Sequence, residues 1–112
     1  MDEFARKAAG LGLPVILLLI VMATTGFAGA AAITTALAML GGPAGMFGGI
    51  ALLGIIGLAT EMLSKYGLEA LLIGIYRQRI QNGESHAAIC KEIRQLPLSG
   101  DLRRRLGEEF GC

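Results

Sequence analysis

From Ala8 through Thr60 the chain runs for 53 consecutive residues without an Asp, Glu, Lys, Arg or His. Drawn out as one helix, this stretch would measure about 80 Å, against about 30 Å for the hydrocarbon core of a bilayer. It therefore has to fold back at least once. Composition points the same way, because 54% of the 112 residues are hydrophobic, 17 are glycine and none is Trp. A soluble domain of this length is expected to be more polar. The sequence predicts a small integral membrane protein.

Gly41-Gly42-Pro43 is the place for a turn, since two residues that tolerate positive φ precede one that starts a helix but cannot continue one. The first span then lies within Leu13 to Leu40 and the second runs from about Pro43 to Leu63. Val15 to Val21 reads Val-Ile-Leu-Leu-Leu-Ile-Val, which contributes roughly −2 to −4 kcal/mol to insertion at a helix centre. No charge opposes it, and Pro14 suits the first helical turn, where its missing N–H costs nothing. Two alternatives stay open. Arg6-Lys7, the apolar core and Ala28-Gly29-Ala30 have the form of a signal peptide, although the apolar run continues past Ala30. A break near Gly26 and Gly29 would instead give two half-helices.

The predicted fold is all-α: a helical hairpin of two transmembrane helices, followed by three short cytoplasmic or interfacial helices. Residues 1–12 form an N-terminal flank, 13–63 the hairpin with its turn at 41–43, and 64–112 an amphipathic, charged tail. Arg6 and Lys7 precede the hairpin, eight Lys or Arg follow it and the turn carries none. The positive-inside tendency then puts both termini in the cytoplasm and the hairpin in the inner membrane.

Membrane helices associate through close backbone approach, which small residues permit. Ala28, Ala32 and Ala36 recur at i, i+4, i+8 on the first span, Gly45 and Gly49 form a GxxxG pair on the second, and Gly54 follows. One hairpin needs a single small stripe per helix, yet Gly48, Ala51, Gly57 and Ala59 are not all on the Gly45/Gly49 stripe. The excess points to contacts between copies of the chain, with other membrane subunits as the alternative partners.

From Glu61 onward there are seven acids and eight bases in 52 residues. Gly67 to Gln81 is amphipathic, with Leu68, Leu71, Leu72, Ile75, Tyr76 and Ile80 on one face. It reads either as an interfacial helix, with Tyr66 and Tyr76 at headgroup depth and Arg77 and Arg79 toward anionic lipid, or as a helix packed on the rest of the tail. Asn82-Gly83 ends it. Ser85 caps the next helix, carrying Ile89, Ile93 and Leu96, and Pro97 stops that one. Ser99 caps the last, where Leu102, Leu106 and Phe110 share a face and Arg103-Arg104-Arg105 cover much of the rest. These arginines complete the expected membrane-surface set.

The residue types argue against chemistry. The tail is nearly charge-balanced and lacks interleaved aromatics, so nucleic acid is not an expected partner. His86 is the only histidine, Cys90 and Cys112 lack CxxC spacing, and no paired acids lie in the apolar stretch. No metal, cofactor or enzymatic activity is expected.

Gly26-Phe27-Ala28-Gly29-Ala30-Ala31, Gly41-Gly42-Pro43-Ala44-Gly45, Gly48 and Ala51 resemble the interferon-alpha-inducible family of small glycine- and alanine-rich membrane proteins and its prokaryotic relatives. The resemblance covers about a quarter to a third of the chain, and the tail from Glu61 departs from it. It implies a protein tied to antiviral or cell-death responses that perturbs a membrane. The expected function is thus a homo-oligomer that permeabilises the inner membrane. The alternatives are an accessory structural subunit or anchor of a larger complex, and a holin-like phage protein, since holins also combine two spans with a charged tail.

Overall fold

The computed structural model describes residues 2–24 and 58–112, and every regular element among them is an α-helix. In chain order these are α1 (Asp2–Leu11), α2 (Leu13–Thr24), α3 (58–66), α4 (Leu68–Gln81), α5 (His86–Gln95) and α6 (Gly100–Glu109). The turn at 41–43 and the interface residues Ala28, Ala32, Ala36, Gly45, Gly49 and Gly54 lie outside the described residues, as does most of each expected span.

The N-terminal flank is itself a helix. Phe4, Ala5, Ala8 and Ala9 recur at helical spacing and are buried, while Glu3 and Lys7 pair at 3.4 Å on the exposed side. Only small side chains stand between the backbone of α1 and its neighbours beyond Phe4, which permits close packing. At Gly12 the chain turns through 114° into α2. Gly12 takes φ +74°, a value that disfavours any side chain, and its N–H donates to the Ala8 carbonyl at 2.9 Å.

Pro14 occupies the first turn of α2, and Val15, Ile16, Leu18, Leu19, Ile20 and Met22 are buried, while Leu13, Leu17 and Val21 make the opposite, exposed or half-buried face apolar as well. A helix apolar on every side has no stable exposed orientation in water. At 12 residues it is about 18 Å long. No single helix among the described residues is long and apolar enough to cross a membrane, although α1 and α2 together reach that length and composition as a bent pair.

The amphipathic segment forms α4, entered through Gly67 at φ +86°. Of its two readings, the packed one is observed. Leu71, Leu72, Ile75 and Tyr76 are buried, and α4 contacts α1, α2, α5 and α6. Each fully buried Leu or Ile contributes about 1.5–3 kcal/mol, so this face, joined by Ile89, Ile93 and Leu106, is the main cohesive element of the tail. Ser85 accepts the Ala88 N–H at 3.1 Å and Ser99 the Leu102 N–H at 3.2 Å, so both caps form as their sequence positions predict. The α5 helix ends at Gln95, two residues before Pro97.

Candidate functional site

The seven residues expected at the membrane surface separate into two groups. Tyr76 and Arg79 are inside the protein, not at its surface. Arg79 is only 7% exposed. Its Nε and Nη2 donate to the two oxygens of Glu84 at 2.7 and 2.8 Å, and Nη2 also donates to Glu92 at 3.0 Å. Nη1 makes a further short contact to Glu92. The Tyr76 hydroxyl donates to the same Glu92 carboxylate at 2.6 Å, and the Arg79 guanidinium lies 5.2 Å from the Tyr76 ring centroid. Phe110 meets that ring edge-on at 6.1 Å.

This network explains the difference from the lipid-facing expectation. A guanidinium is costly to bury alone but tolerable between two carboxylates that accept in fork geometry. Glu84, in the α4–α5 loop, and Glu92, on α5, supply them. The hydrogen bonds that Arg79 donates to Glu84 push its own pKa up, and the same guanidinium holds the Glu84 carboxyl below its ordinary value. Burial, reinforced by Glu92, pushes the Tyr76 phenol far up and keeps it protonated. The position of Glu92 thirteen residues beyond Arg79, on the next helix, gives no sequence signal for this pairing, because it depends on the angle between α4 and α5.

Arg77, Arg103, Arg104 and Arg105 have different surroundings. Arg77 pairs with Glu109 of α6, and Arg105 bridges Asp101 and, at 3.2 Å, Glu69 of α4. Arg104 pairs with Asp101 at 2.6 Å. Arg103 turns inward and donates to the carbonyls of Leu96 and Leu98 at 2.8 and 3.1 Å, satisfying the chain where α5 has ended. Side chains of Arg77 and Arg104 are 61% and 67% exposed, against 45% for Arg105.

Tyr66 is one of two large apolar side chains exposed among the described residues, and Leu13 is the other. They stand at the two ends of the apolar stretch. Lys65 lies 5.4 Å from the Tyr66 ring centroid, a cation at an aromatic face beside the start of α4.

The sequence reading missed one covalent feature. Cys90 and Cys112, separated by 22 positions, form a disulfide that ties the segment after α6 to α5. Two cysteines in one short tail, with His86 four residues before Cys90 on the same helix face, were the available signal. Comparison of the chain with protein-family models, with characterised proteins and with solved structures finds no match.

Proposed function

We propose that this chain is an integral membrane protein of the inner membrane, with residues 13–63 as its membrane hairpin and both termini in the cytoplasm. The observation that carries this reading is the packing of α1 against α4. α1 runs four residues into the 53-residue uncharged stretch and α4 begins eight residues beyond it, so the two ends of the stretch are brought near one another. A stretch whose ends meet, and which contains no charge, satisfies its backbone in lipid by crossing an even number of times. The exposed Tyr66 and Leu13 at its ends support the same placement, since aromatic and apolar side chains favour the interface.

Within that membrane the chain forms a homo-oligomer through Gly45, Gly49, Gly54 and the Ala28/Ala32/Ala36 face, and the assembly perturbs or permeabilises the bilayer. The support is the presence of small residues on more faces than one hairpin uses. The resemblance to the interferon-alpha-inducible family would imply a role for such an activity in cell-death or antiviral defence. Expression in cells carrying a membrane-potential dye tests the reading. Loss of potential with growth arrest is expected, whereas unchanged potential at high expression refutes permeabilisation. Alkaline carbonate extraction tests the membrane assignment separately, because release of the chain into the supernatant refutes it.

The second reading is an accessory subunit or anchor of a larger complex. It is favoured by the tail, whose Arg79, Arg103 and Arg105 already find partners within the protein and leave a formed surface for docking. Purification in mild detergent separates the two, since a ring of identical chains supports the effector and a hetero-complex supports the subunit.

A further inference from the structure

We infer that His86, Cys90 and Cys112 form a redox-gated binding site for a soft divalent cation of the zinc class, closed by the disulfide and opened by its reduction. The inference does not depend on the membrane reading. The potential ligand atoms of the three residues lie within 4.8 Å of one another. Cys90 Sγ is 3.8 Å from His86 Nε2 and 3.9 Å from Nδ1. A thiolate and an imidazole nitrogen on one tetrahedral zinc stand about 3.6 Å apart, given bonds of about 2.3 and 2.05 Å. Helix geometry already sets this separation, because positions 86 and 90 are one turn apart on one face of α5.

A second observation points to a ligand at the same place. His86 Nε2 makes a short contact with the Phe110 backbone carbonyl. A carbonyl only accepts, so Nε2 is the donor in this contact, and in the neutral ring Nδ1 keeps its lone pair for a metal. Metal-binding histidines are oriented in this way, with the second ring nitrogen donating to a backbone carbonyl or carboxylate. The third ligand, Cys112, is exposed, and its N–H donates to the Gly107 carbonyl at 2.7 Å. That bond fixes the backbone beside the site. Its side chain is free to swing once the disulfide opens, and the two sulfurs then need a separation of about 3.8 Å to share a zinc ion.

The chemistry balances with a cellular thiol of the glutathione or thioredoxin class as reductant. Its thiolate attacks one sulfur of the Cys90–Cys112 bond, and a second thiol resolves the mixed disulfide. Two electrons and two protons pass to the cysteines, and the reductant leaves as its own disulfide. Zinc then binds both thiolates and His86 Nδ1 and displaces the two thiol protons, with water in the fourth position. Two thiolates with one imidazole suit zinc better than the hard cations magnesium or calcium. In an oxidising compartment the crosslink persists, whereas in a reducing one the metal replaces it as the tie between α5 and the segment after α6.

The test uses the full chain in mild detergent, reduced with a phosphine that is then removed, and titrated with Co²⁺ followed by Zn²⁺. The expected result is a sulfur-to-cobalt charge-transfer band and the intense visible bands of tetrahedral cobalt, saturating at one equivalent and bleached by zinc. The oxidised chain should show neither. His86→Ala keeps both cysteines, so its oxidised form reports whether the fold survives, while its reduced form should bind zinc roughly tenfold to a hundredfold more weakly. The inference is overturned if reduced native chain binds zinc no more tightly than Cys90→Ser, or if cobalt binds without the charge-transfer band. It is equally overturned if reduction lowers helicity and zinc fails to restore it.

Discussion

Replacing Arg79 with Met removes the centre of the Tyr76–Arg79–Glu84–Glu92 network while keeping the length and apolar stem of the side chain. The cost follows from what remains. The Glu84 side chain is 41% exposed, so water re-solvates it, and its lost pair costs only about 0.5–1 kcal/mol. Glu92 is 19% exposed and keeps only the Tyr76 hydroxyl as a donor from this network. Breaking a buried pair by removing one partner costs about 3–5 kcal/mol, and partial exposure reduces that here to about 2–3 kcal/mol. The sum is about 3 kcal/mol, which lowers the melting temperature by about 12 °C at roughly 4 °C per kcal/mol for a chain of this size. Glu84→Gln should cost about a third as much. Thermal unfolding of the full chain in detergent, followed by far-UV circular dichroism, measures both. A shift under about 3 °C for Arg79→Met, or equal shifts for the two variants, would show that the network contributes no more than an exposed ion pair.

Three further outcomes are expected. Because Arg79 holds the Glu84 carboxyl below its ordinary 4.5, its contribution is fully present above that pH and is lost as pH falls through the folded-state value, so acid unfolding below pH 4.5 should be less steep in Glu84→Gln than in native chain. Reducing the Cys90–Cys112 disulfide in the presence of a chelator should lower stability by about 3 kcal/mol, the loop-closure contribution for a sequence separation of 22 residues; an unchanged denaturant midpoint would refute this. Gly49→Leu makes the second span more lipophilic and fills a point of close helix approach, so the variant should still insert but lose its oligomer on crosslinking, and an unchanged oligomer would remove Gly49 from the interface.

The helices of the tail were legible because their signals are local. Ser85, Ser99, Pro97 and the Leu71/Leu72/Ile75/Tyr76 spacing act within a few residues of themselves, and each feature forms where the sequence predicts it. The helix over Asp2–Leu11 was not read, because Ala5, Ala8 and Ala9 are too small to stand out as an apolar stripe. Their value lies in letting α4 approach, which only the partner helix reveals. The buried role of Arg79 was illegible for a similar reason. Charge and amphipathic spacing alone present an arginine as solvent- or lipid-facing, and only the crossing of α4 and α5 brings Glu92 within reach. Pairing of Cys90 with Cys112 likewise depends on α6 returning the chain to α5.

The division among the arginines bears on how the protein would hold to a membrane. Counting Arg77, Arg79 and the Arg103–Arg105 triplet as five equal surface charges would assign about 5 kcal/mol of attraction to an anionic leaflet, at about 1 kcal/mol each. Arg79 has both flanking carboxylates as partners, and Arg103 is bound to two backbone carbonyls, so neither is free to contribute. Arg77, Arg104 and Arg105 reach solvent but face Glu109, Asp101 and Glu69, and a neighbouring carboxylate offsets most of the field that a lipid headgroup would feel. The arginines of the tail are therefore turned toward partners within the protein, where a purely lipid-bound tail would direct them outward. Electrostatic attraction of the tail is left as a minor, salt-screened contribution. On this reading the uncharged stretch, and not the arginines, would secure the chain in lipid, with the packing of α1 on α4 joining its ends to the folded tail.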